Sequence, residues 1–375
     1  MRFEFATAAR IIFGAGTVRD VPAAAREMGR RALLVTRRSV DVSRLGLEGV
    51  RFPVHGEPEV ETVRQGTRQA RAESCDLVIA MGGGSAIDAG KAIAAMLGNG
   101  GDPLDYLEVV GQGRPLKLPS APFLAIPTTA GTGSEVTRNA VLGSPEHNVK
   151  ASLRGPHLLP SVAVVDPELT LDLPPALTAS TGLDALTQLI EPYVSIRANH
   201  LTDLYCIEGM RLAASALRRA WRDGQDRAAR TDMSCASLLG GLALANAGLG
   251  AVHGLAAPLG GMFAAPHGAL CAALLPHTMR VNIAALRSAG AQAALDRYGE
   301  VARVLSGHES ARPEDGANWV EQLCRDLEIP PLRAYGVRLA DAPALAEKAA
   351  AANSMKANPI GLRRDQLEEL IARAL

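Results

Sequence analysis

The sequence predicts an α/β N-terminal domain, with a doubly wound and mostly parallel sheet, followed by an all-α C-terminal domain. Short β-rich runs alternate with amphipathic stretches in the first half, Ala/Leu-rich helical patterns fill the second half, and a Leu-Pro-Pro sequence interrupts both patterns between them. The length of 375 residues suits two domains. We therefore expect a boundary within residues 171–180, which gives domains 1–175 and 176–375.

Three apolar runs, each bounded by turn residues, predict buried strands: 32–36, 77–80 and 124–126. Helical patterns at 59–73 and 86–97 lie between these runs, and this spacing favours crossover connections between parallel strands. The clearest amphipathic helices of the second half are 201–223 and 226–244. Ligands of such a sheet bind beyond the carboxyl ends of its strands, so the loops there are the first candidates for function.

The composition is that of a globular protein without a polyanionic partner. Hydrophobic residues make up 47%, and 39 basic residues balance 39 acidic ones, so we expect neither nucleic acid nor a membrane as a partner. The N-terminal residues lack the pattern of a signal peptide, and the apolar run 238–251 is too short and Gly-rich to span a bilayer. The five cysteines contain no CxxC pair, which argues against a disulfide framework or a thiolate zinc site and favours the cytoplasm.

A glycine-rich segment, 81–91, follows the second predicted strand and opens a helix. Gly82, Gly83 and Gly84 allow close approach of a ligand to the backbone, and the free N–H groups of a helix start favour a phosphate. The alternative is that Ser85 and Asp88 form a capping box and the glycines only make a turn. This segment alone does not decide between the two interpretations.

A second loop, 127–135, follows the third predicted strand and carries clustered hydroxyls and glycines. These groups suit hydrogen bonds to a diphosphate or ribose, although Thr132 and Glu135 again match a capping box. Two such loops after neighbouring strands favour a dinucleotide site over two accidental turns. A third glycine-rich segment, 13–17, lacks the last glycine of a dinucleotide fingerprint, so it predicts a tight turn after an N-terminal strand.

The two loops, in this order, resemble the iron-containing alcohol dehydrogenase family, with its GGGSxxDxxK and PTTxGTGSE motifs. Further matching segments run through almost the whole chain: Lys150, 166–169, 184–187, 274–277 and 355–359. The resemblance implies a fold shared with dehydroquinate synthase, in which a dinucleotide-binding domain and a helical domain flank a cleft. It also implies hydride transfer between a nicotinamide and a small alcohol or carbonyl, in a homodimer or larger homo-oligomer. The N-terminal segment 2–5 is a candidate strand for edge pairing between subunits.

The resemblance also assigns a cofactor site. It implies that the segment from Gly82 through Gly83 and Gly84 to Ser85 holds the pyrophosphate. The remaining cofactor positions are Thr128, Thr129, Thr132, Lys150 and Asp88. Relatives that prefer NAD carry an Asp where this chain has Arg37, and an Arg there can pair with a 2′-phosphate. Arg37 and the next residue, Arg38, therefore favour NADP(H), and the alternative is a pair of solvated surface arginines.

By the same resemblance, a divalent metal, iron or zinc, would be held by Asp184, Gln188, His253 and His267. Gln188 stands where the family has a His, and an amide oxygen is a weaker ligand than an imidazole nitrogen. Ala257 stands where the family commonly has a proton-relaying His, and alanine transfers no proton. The alternatives are a capping role for Asp184 from Thr181 and hydrogen-bonded, helix-terminal roles for both histidines.

The resulting hypothesis is an NAD(P)-dependent alcohol dehydrogenase or carbonyl reductase, with metal assistance if the altered site is occupied. A metal-free reductase similar to the maleylacetate reductases is the first alternative, with His253 or His267 as the candidate catalytic donor. A catalytically degenerate dinucleotide-binding relative is the second. A lyase similar to dehydroquinate synthase would require a basic cluster near Asp184 or His267, and the sequence has none there. His277, in spite of its motif, is predicted to be structural, and the sequence leaves the substrate open.

Overall fold

A computed structural model describes residues 2–38, 40–147 and 149–375. They form two compact units. The sheet unit contains residues 5–129 and 133–171, and the helical unit contains residues 172–375 together with 130–132 and the N-terminal residues up to Glu4. The main change from one unit to the other therefore falls between Leu171 and Asp172, and the short segment 130–132 is an exception that no sequence pattern predicted.

The sheet unit is built on a six-stranded sheet in the order β1-β8-β5-β4-β2-β3, in which every pair of neighbours is parallel. Its strands are β1 (Arg10–Phe13), β2 (Ala32–Thr36), β3 (Val50–Pro53), β4 (Leu77–Gly82), β5 (Phe123–Pro127) and β8 (Val162–Val165). The predicted parallel sheet and its three predicted strands are confirmed, with small differences at the strand ends. A separate antiparallel hairpin, β6 (Asn139–Ser144) and β7 (Val149–Arg154), was not predicted.

Apolar residues run continuously along the central strands because helices cover both faces of the sheet. Leu33, Val35 and Val78 belong to one core and Leu34 and Ile79 to the other, as expected for side chains that alternate between faces. The helices of this unit are α1 (Val21–Met28), α2 (Val60–Ala72), α3 (Gly84–Asn99) and the short α4 (Pro103–Tyr106).

Helix α3 packs closely on β4 and β5. A Cβ atom added at Gly90 would lie 2.7 Å from the Cβ of Ala80 and 2.7 Å from the ring of Phe123, so only glycine fits there. Register pairs Gly82 at the end of β4 with Pro127 at the end of β5. The two glycine-rich loops therefore leave the sheet side by side, after neighbouring strands as the sequence predicted.

Residues 2–5 lie in none of the described strands of the single chain, where the first strand is β1, which pairs with β8. Their pairing with a second subunit stays a prediction. The predicted turn at 13–17 is confirmed, since the Thr17 N–H donates to the Gly14 carbonyl and Gly16 has a left-handed φ of 78°.

The helical unit is predominantly helical from Pro175 to its C-terminal end. Its main helices are α5 (Pro175–Val194), α6 (His200–Arg222), α7 (Arg227–Ala247), α8 (Ala251–Met262), α9 (His267–Ser288), α10 (Gln292–Ser306), α11 (Pro313–Asp326), α12 (Ala342–Ala351) and α13 (Arg364–Ala374). The two predicted amphipathic helices match α6 and α7, whose first turns are capped by Asn199 and Asp226. Almost every residue of α5 beyond its first turn is buried, so α5 forms the centre of this unit.

Helix α9 is long and apolar enough to cross a membrane by length and composition. Its 18-residue apolar window is 83% buried within the chain, which is the usual situation of a core helix. Helices α7 and α8 pass the same test only as a pair, and they are bent by 98° at the break between them.

Candidate active site

Four titratable side chains converge in the helical unit: Asp184, His253, His267 and Cys271. One ligand atom from each lies within 4.8 Å of the ligand atoms of all the others. Asp184 is in the middle of α5, so the alternative of a capping role is wrong: the helix begins nine residues earlier, at Pro175. Thr181, the supposed cap, instead donates its hydroxyl to the Leu177 carbonyl of the same helix.

His253 is oriented by Glu191, which lies two turns after Asp184 on α5. One oxygen of the Glu191 carboxylate accepts from Nδ1 of His253 at 2.7 Å, and the other accepts from the Val252 N–H at 2.7 Å. In the neutral ring, a carboxylate at Nδ1 favours the proton on that nitrogen and leaves the lone pair on Nε2. Nε2 lies 3.4 Å from Oδ1 of Asp184 and thus points into the cluster.

His267 and Cys271 come from the first two turns of α9, which begins at His267. Their four-residue spacing puts both on one helix face, with Nε2 of His267 at 3.6 Å from Sγ of Cys271. The same Nε2 lies 3.8 Å from Oδ1 of Asp184. The His267 side chain is 37% exposed, whereas Asp184 and Cys271 are buried, so solvent reaches the cluster from the His267 side.

Sequence reasoning missed Cys271 and Glu191. The argument against a thiolate zinc site relied on the missing CxxC pair, and it does not extend to a single cysteine in a mixed cluster, where the partners come from distant helices. The available signal was the His-x₃-Cys spacing at the start of a predicted helix. For Glu191 it was a carboxylate within an otherwise apolar helix. All five cysteines are free thiols.

Gln188 and Ala257, the two residues that depart from the family pattern, have different surroundings. Gln188 lies one turn after Asp184 and is buried; its amide interacts with the Asp184 carboxyl, and its Oε1 has no hydrogen-bond partner. Ala257 lies one turn after His253 on α8, so that position carries no group able to transfer a proton. His277 lies farther along α9, where burial lowers its pKa, and its structural role stays a prediction.

The electrostatics of the cluster favour positive charge. Interactions with Cys271 and Asp184 raise the pKa of His267 to about 9 against the effect of burial. Burial opposes protonation of His253, yet Cys271, Asp184 and Glu191 together raise its pKa well above the ordinary value. Burial would raise the pKa of Asp184, but the two imidazoles and Gln188 outweigh it and lower that pKa.

These residues fit a divalent metal ion. Oδ1 of Asp184 is buried and has no hydrogen-bond partner, although a buried carboxylate oxygen ordinarily needs one. Carboxylate, imidazole and thiolate are all ligands for zinc or iron, and the Glu191–His253 pair is the carboxylate–histidine arrangement found behind many metal ligands. These side chains are therefore better suited to bind a metal ion than to pack in a protein core without one.

In the sheet unit, the first glycine-rich loop ends at a helix start without a side-chain cap. The N-cap of α3 is Gly83, so the capping-box alternative for Ser85 and Asp88 is wrong. The Thr128 N–H donates to the Gly82 carbonyl at 2.9 Å, and a Cβ added at Gly83 would lie 3.4 Å from the Thr129 side chain. The loops after β4 and β5 thus meet at an uncapped helix N-terminus, which suits a phosphate group.

Asp88 contacts the end of the second loop and the strand β6 that follows it. Its carboxylate accepts from the Ser134 hydroxyl at 2.5 Å and from the Val141 N–H at 3.0 Å. The Thr132–Glu135 capping box is not formed either, because the N-cap of the short helix at 134–136 is Gly133. These contacts give Asp88 a positioning role, and its direct contact with a cofactor stays a prediction.

Lys91, on α3, forms hydrogen bonds inside the core with the end of the second loop and the start of β6. Its fully buried ammonium donates to the Ser134 hydroxyl, the Thr137 hydroxyl and the Asn139 carbonyl, each at 2.8 Å. Burial lowers the pKa of Lys91 to about 8 and raises the pKa of the neighbouring Glu135 to about 7. Sequence reasoning quoted Lys91 as part of a motif but gave it no role.

The other predicted cofactor positions are placed as follows. Lys150 lies on β7, largely buried, and forms an ion pair with Glu57 at 2.5 Å. Arg37 is exposed directly after β2. Thr132 belongs to the helical unit, in a segment where a Cβ at Gly131 would lie 2.8 Å from Thr181.

Two family models match the chain. One, described as iron-containing alcohol dehydrogenase, matches residues 8–167, and the other, the C-terminal domain of the Fe-containing alcohol dehydrogenase family, matches residues 178–375. Together they cover nearly the whole sequence, and the junction between them falls close to the change from the sheet unit to the helical unit.

Individual relatives agree with these models. Alcohol dehydrogenase 4 of Saccharomyces cerevisiae is 40% identical over 318 residues, which is 84% of this chain and 80% of that protein. The 1,3-propanediol dehydrogenase of Klebsiella pneumoniae is 39% identical over 359 residues, which is 92% of this chain and 90% of the relative. A crystal structure of 1,3-propanediol oxidoreductase superimposes with a TM-score of 0.93 at 34% identity and covers 100% of both chains. The chain belongs to the iron-containing alcohol dehydrogenase family.

Proposed function

We propose that this protein is an NAD(P)(H)-dependent alcohol dehydrogenase or carbonyl reductase that acts on a small alcohol or carbonyl with the assistance of a divalent metal. The observation that carries the proposal is the cluster of Asp184, His253 and His267, in which a buried carboxylate oxygen lacks a hydrogen-bond partner and faces two imidazole nitrogens. Family membership supplies the reaction type, and the cluster supplies the place where a reacting oxygen would be polarised.

The sheet unit would hold the dinucleotide. Gly82, Gly83, Gly84 and Ser85 offer backbone N–H groups to the pyrophosphate at the start of α3, and Thr128, Thr129, Thr132 and Lys150 are the proposed contacts to the rest of the cofactor. When bound, the nicotinamide supplies or accepts the hydride, and the metal polarises the substrate oxygen as a Lewis acid, for several kcal/mol of charge stabilisation.

The chain's own residues hold the ligand groups in place and leave the proton to solvent. Glu191 fixes the His253 tautomer so that Nε2 faces the cluster. Ala257 provides no relay, and water entering beside the partly exposed His267 is the proposed route of proton exchange. The missing relay costs about 10² to 10⁴ in rate wherever water does not replace it.

The cofactor preference we propose is NADP(H). Arg37 is exposed at the carboxyl end of β2, where a guanidinium can pair with a 2′-phosphate. By family likeness the protein would act as a homodimer or larger homo-oligomer in the cytoplasm.

A metal-free reductase remains the second candidate, because Gln188 and Ala257 both weaken the metal and relay functions of the family. In that version, His253 or His267 donates the hydrogen bond or proton to the carbonyl oxygen.

The deciding experiment follows NADPH and NADH oxidation with a panel of small aldehydes and ketones, and the reverse reaction with the corresponding alcohols. We expect turnover that a chelator abolishes and added metal restores. Turnover unaffected by a chelator would establish the metal-free version. Cofactor binding without turnover across the panel would contradict both and indicate a degenerate relative.

A further inference from the structure

We propose that Cys271 is the fourth protein ligand of the metal, in place of the Gln188 amide, and that the resulting Asp–His–His–Cys set favours zinc over ferrous iron. The inference rests on the metal site of the proposed function, but it concerns which atoms bind and which metal they select. It gives a role to a buried thiol that nothing in the family pattern assigns.

The geometry around Sγ of Cys271 carries the proposal. Sγ lies 3.6 Å from Nε2 of His267 and 3.9 Å from Nε2 of His253. Oδ1 of Asp184 lies 3.4 Å and 3.8 Å from the Nε2 atoms of His253 and His267. In a tetrahedral zinc site with Zn–N and Zn–S bonds of about 2.1 and 2.3 Å, neighbouring ligand atoms are separated by roughly 3.3 to 3.6 Å. Two of the four separations, 3.4 and 3.6 Å, already lie in this range, the other two exceed it by a few tenths of an ångström, and the remaining pairs of ligand atoms lie within 4.8 Å.

Burial supports the assignment. Cys271 is fully buried, and so is Asp184 apart from 1% of its surface. A thiol held at this depth beside two imidazoles and a carboxylate can reach a metal ion in the cluster without any change of backbone position.

Gln188 has a different task in this arrangement. It lies buried one turn after Asp184 on α5, on the same helix face, and there we assign it the positioning of that carboxylate. Thiolate is a soft ligand with a strong preference for zinc, whereas an amide oxygen binds zinc and iron weakly. Upon metal binding the thiol proton is released to solvent and a metal–sulfur bond forms.

The test compares the wild type with Cys271→Ala, Gln188→Ala and, as a matched loss of a buried thiol outside the cluster, Cys206→Ala. Each protein is loaded with Co²⁺ for absorption spectroscopy and with Zn²⁺ for X-ray absorption. We expect a sulfur-to-cobalt charge-transfer band and one zinc–sulfur distance of about 2.3 Å in every protein except Cys271→Ala. Competitive chelator titrations should show a loss of zinc affinity of at least ~10-fold in Cys271→Ala, with a smaller loss for ferrous iron.

The outcomes separate this inference from the proposed function. Metal bound by nitrogen and oxygen alone in the wild type would overturn the role of Cys271 while leaving metal-assisted hydride transfer intact. No metal bound by the wild type would overturn both the ligand assignment and the metal-assisted version. Sulfur ligation without turnover in the aldehyde and ketone panel would support Cys271 and contradict the proposed activity.

Discussion

The Glu191 carboxylate accepts a hydrogen bond from Nδ1 of His253 at 2.7 Å, and this contact directs Nε2 towards Asp184 and Cys271. Glu191 lies on the same helix as Asp184, so α5 supplies both a proposed ligand and the group that orients a second one. Several measurable consequences follow from this arrangement and from the sheet-unit contacts.

Glu191→Gln is expected to weaken metal binding without removing a ligand. The amide lacks the charge that orients and strengthens the imidazole, and outer-shell substitutions of this kind cost about 10- to 100-fold in metal affinity. The measurement is a competitive zinc titration. Glu208→Gln, at an exposed ion pair with Arg211 on α6, is the control and should leave the affinity unchanged. Equal affinities for Glu191→Gln and the wild type would show that His253 is not oriented by this contact.

Arg37→Asp is expected to reverse the cofactor preference. An Asp repels the 2′-phosphate of NADP(H) and accepts from the ribose hydroxyl of NAD(H). The ratio of kcat/KM for NADPH to that for NADH should fall at least ~10-fold, since a lost charge-assisted hydrogen bond contributes about 1.5 to 3 kcal/mol. Arg26→Asp, an equal charge change at an exposed position on α1, is the control. An unchanged ratio for Arg37→Asp would mean that Arg37 is only a solvated surface residue.

Stability of the sheet unit is expected to pass through a minimum near neutral pH because of Lys91 and Glu135. The raised pKa of Glu135, about 7, makes the folded state bind more protons than the unfolded state between pH 4.5 and 7, so stability falls with rising pH there. The lowered pKa of Lys91, about 8, makes the unfolded state bind more protons between pH 8 and 10.5, so stability rises with pH there.

The comparison that checks this minimum is urea unfolding of the wild type and the double variant Lys91→Met/Glu135→Gln at three pH values. The unfolding free energy of the wild type minus that of the double variant should be smallest between pH 7 and 8 and should increase by roughly 1 to 3 kcal/mol at lower and at higher pH. A difference that does not vary with pH would show that neither group has a shifted pKa in the folded protein.

Ala257→His is expected to restore a proton relay one turn after His253. The added imidazole should raise kcat for carbonyl reduction, within the ~10² to 10⁴ that general acid–base groups contribute, and should add a titration near the ordinary His value to the pH profile. The control is Ala257→Gln, whose side chain is similar in size to that of His but does not titrate. Ala256→His is unsuitable because Ala256 is buried and a larger side chain there would overpack the core. If Ala257→Gln and Ala257→His have the same kcat and the same pH profile, the absence of a proton relay at residue 257 does not limit the reaction.

Much of the fold could be predicted because the signals were local. β2, β4 and β5 are apolar runs between turn residues, and their helical crossovers carry 3.6-residue periodicity. Asp184, His253 and His267 were identified through family motifs, and the structure places them together in one cluster; their role as ligands stays a prediction.

The rest of the site depends on contacts between distant segments. Glu191 meets His253 across 62 positions of sequence, and no periodicity encodes that hydrogen bond. The four-residue spacing of His267 and Cys271 predicts that both lie on one helix face. Only the packing of α5 and α8 against α9 brings that face together with Asp184 and His253. Likewise, Lys91 looked like one residue of a motif until its three acceptors, all more than 40 positions away, were located.

The most direct test of the account is a titration of Zn²⁺ into chelator-treated protein while NADPH-dependent carbonyl reduction is followed. The account predicts that activity rises from a low baseline and saturates at about one equivalent of metal per chain, as expected for a single site at which the substrate oxygen would add as a fifth ligand beside the four protein ligands. Full activity before any metal is added, with no change during the titration, would contradict it.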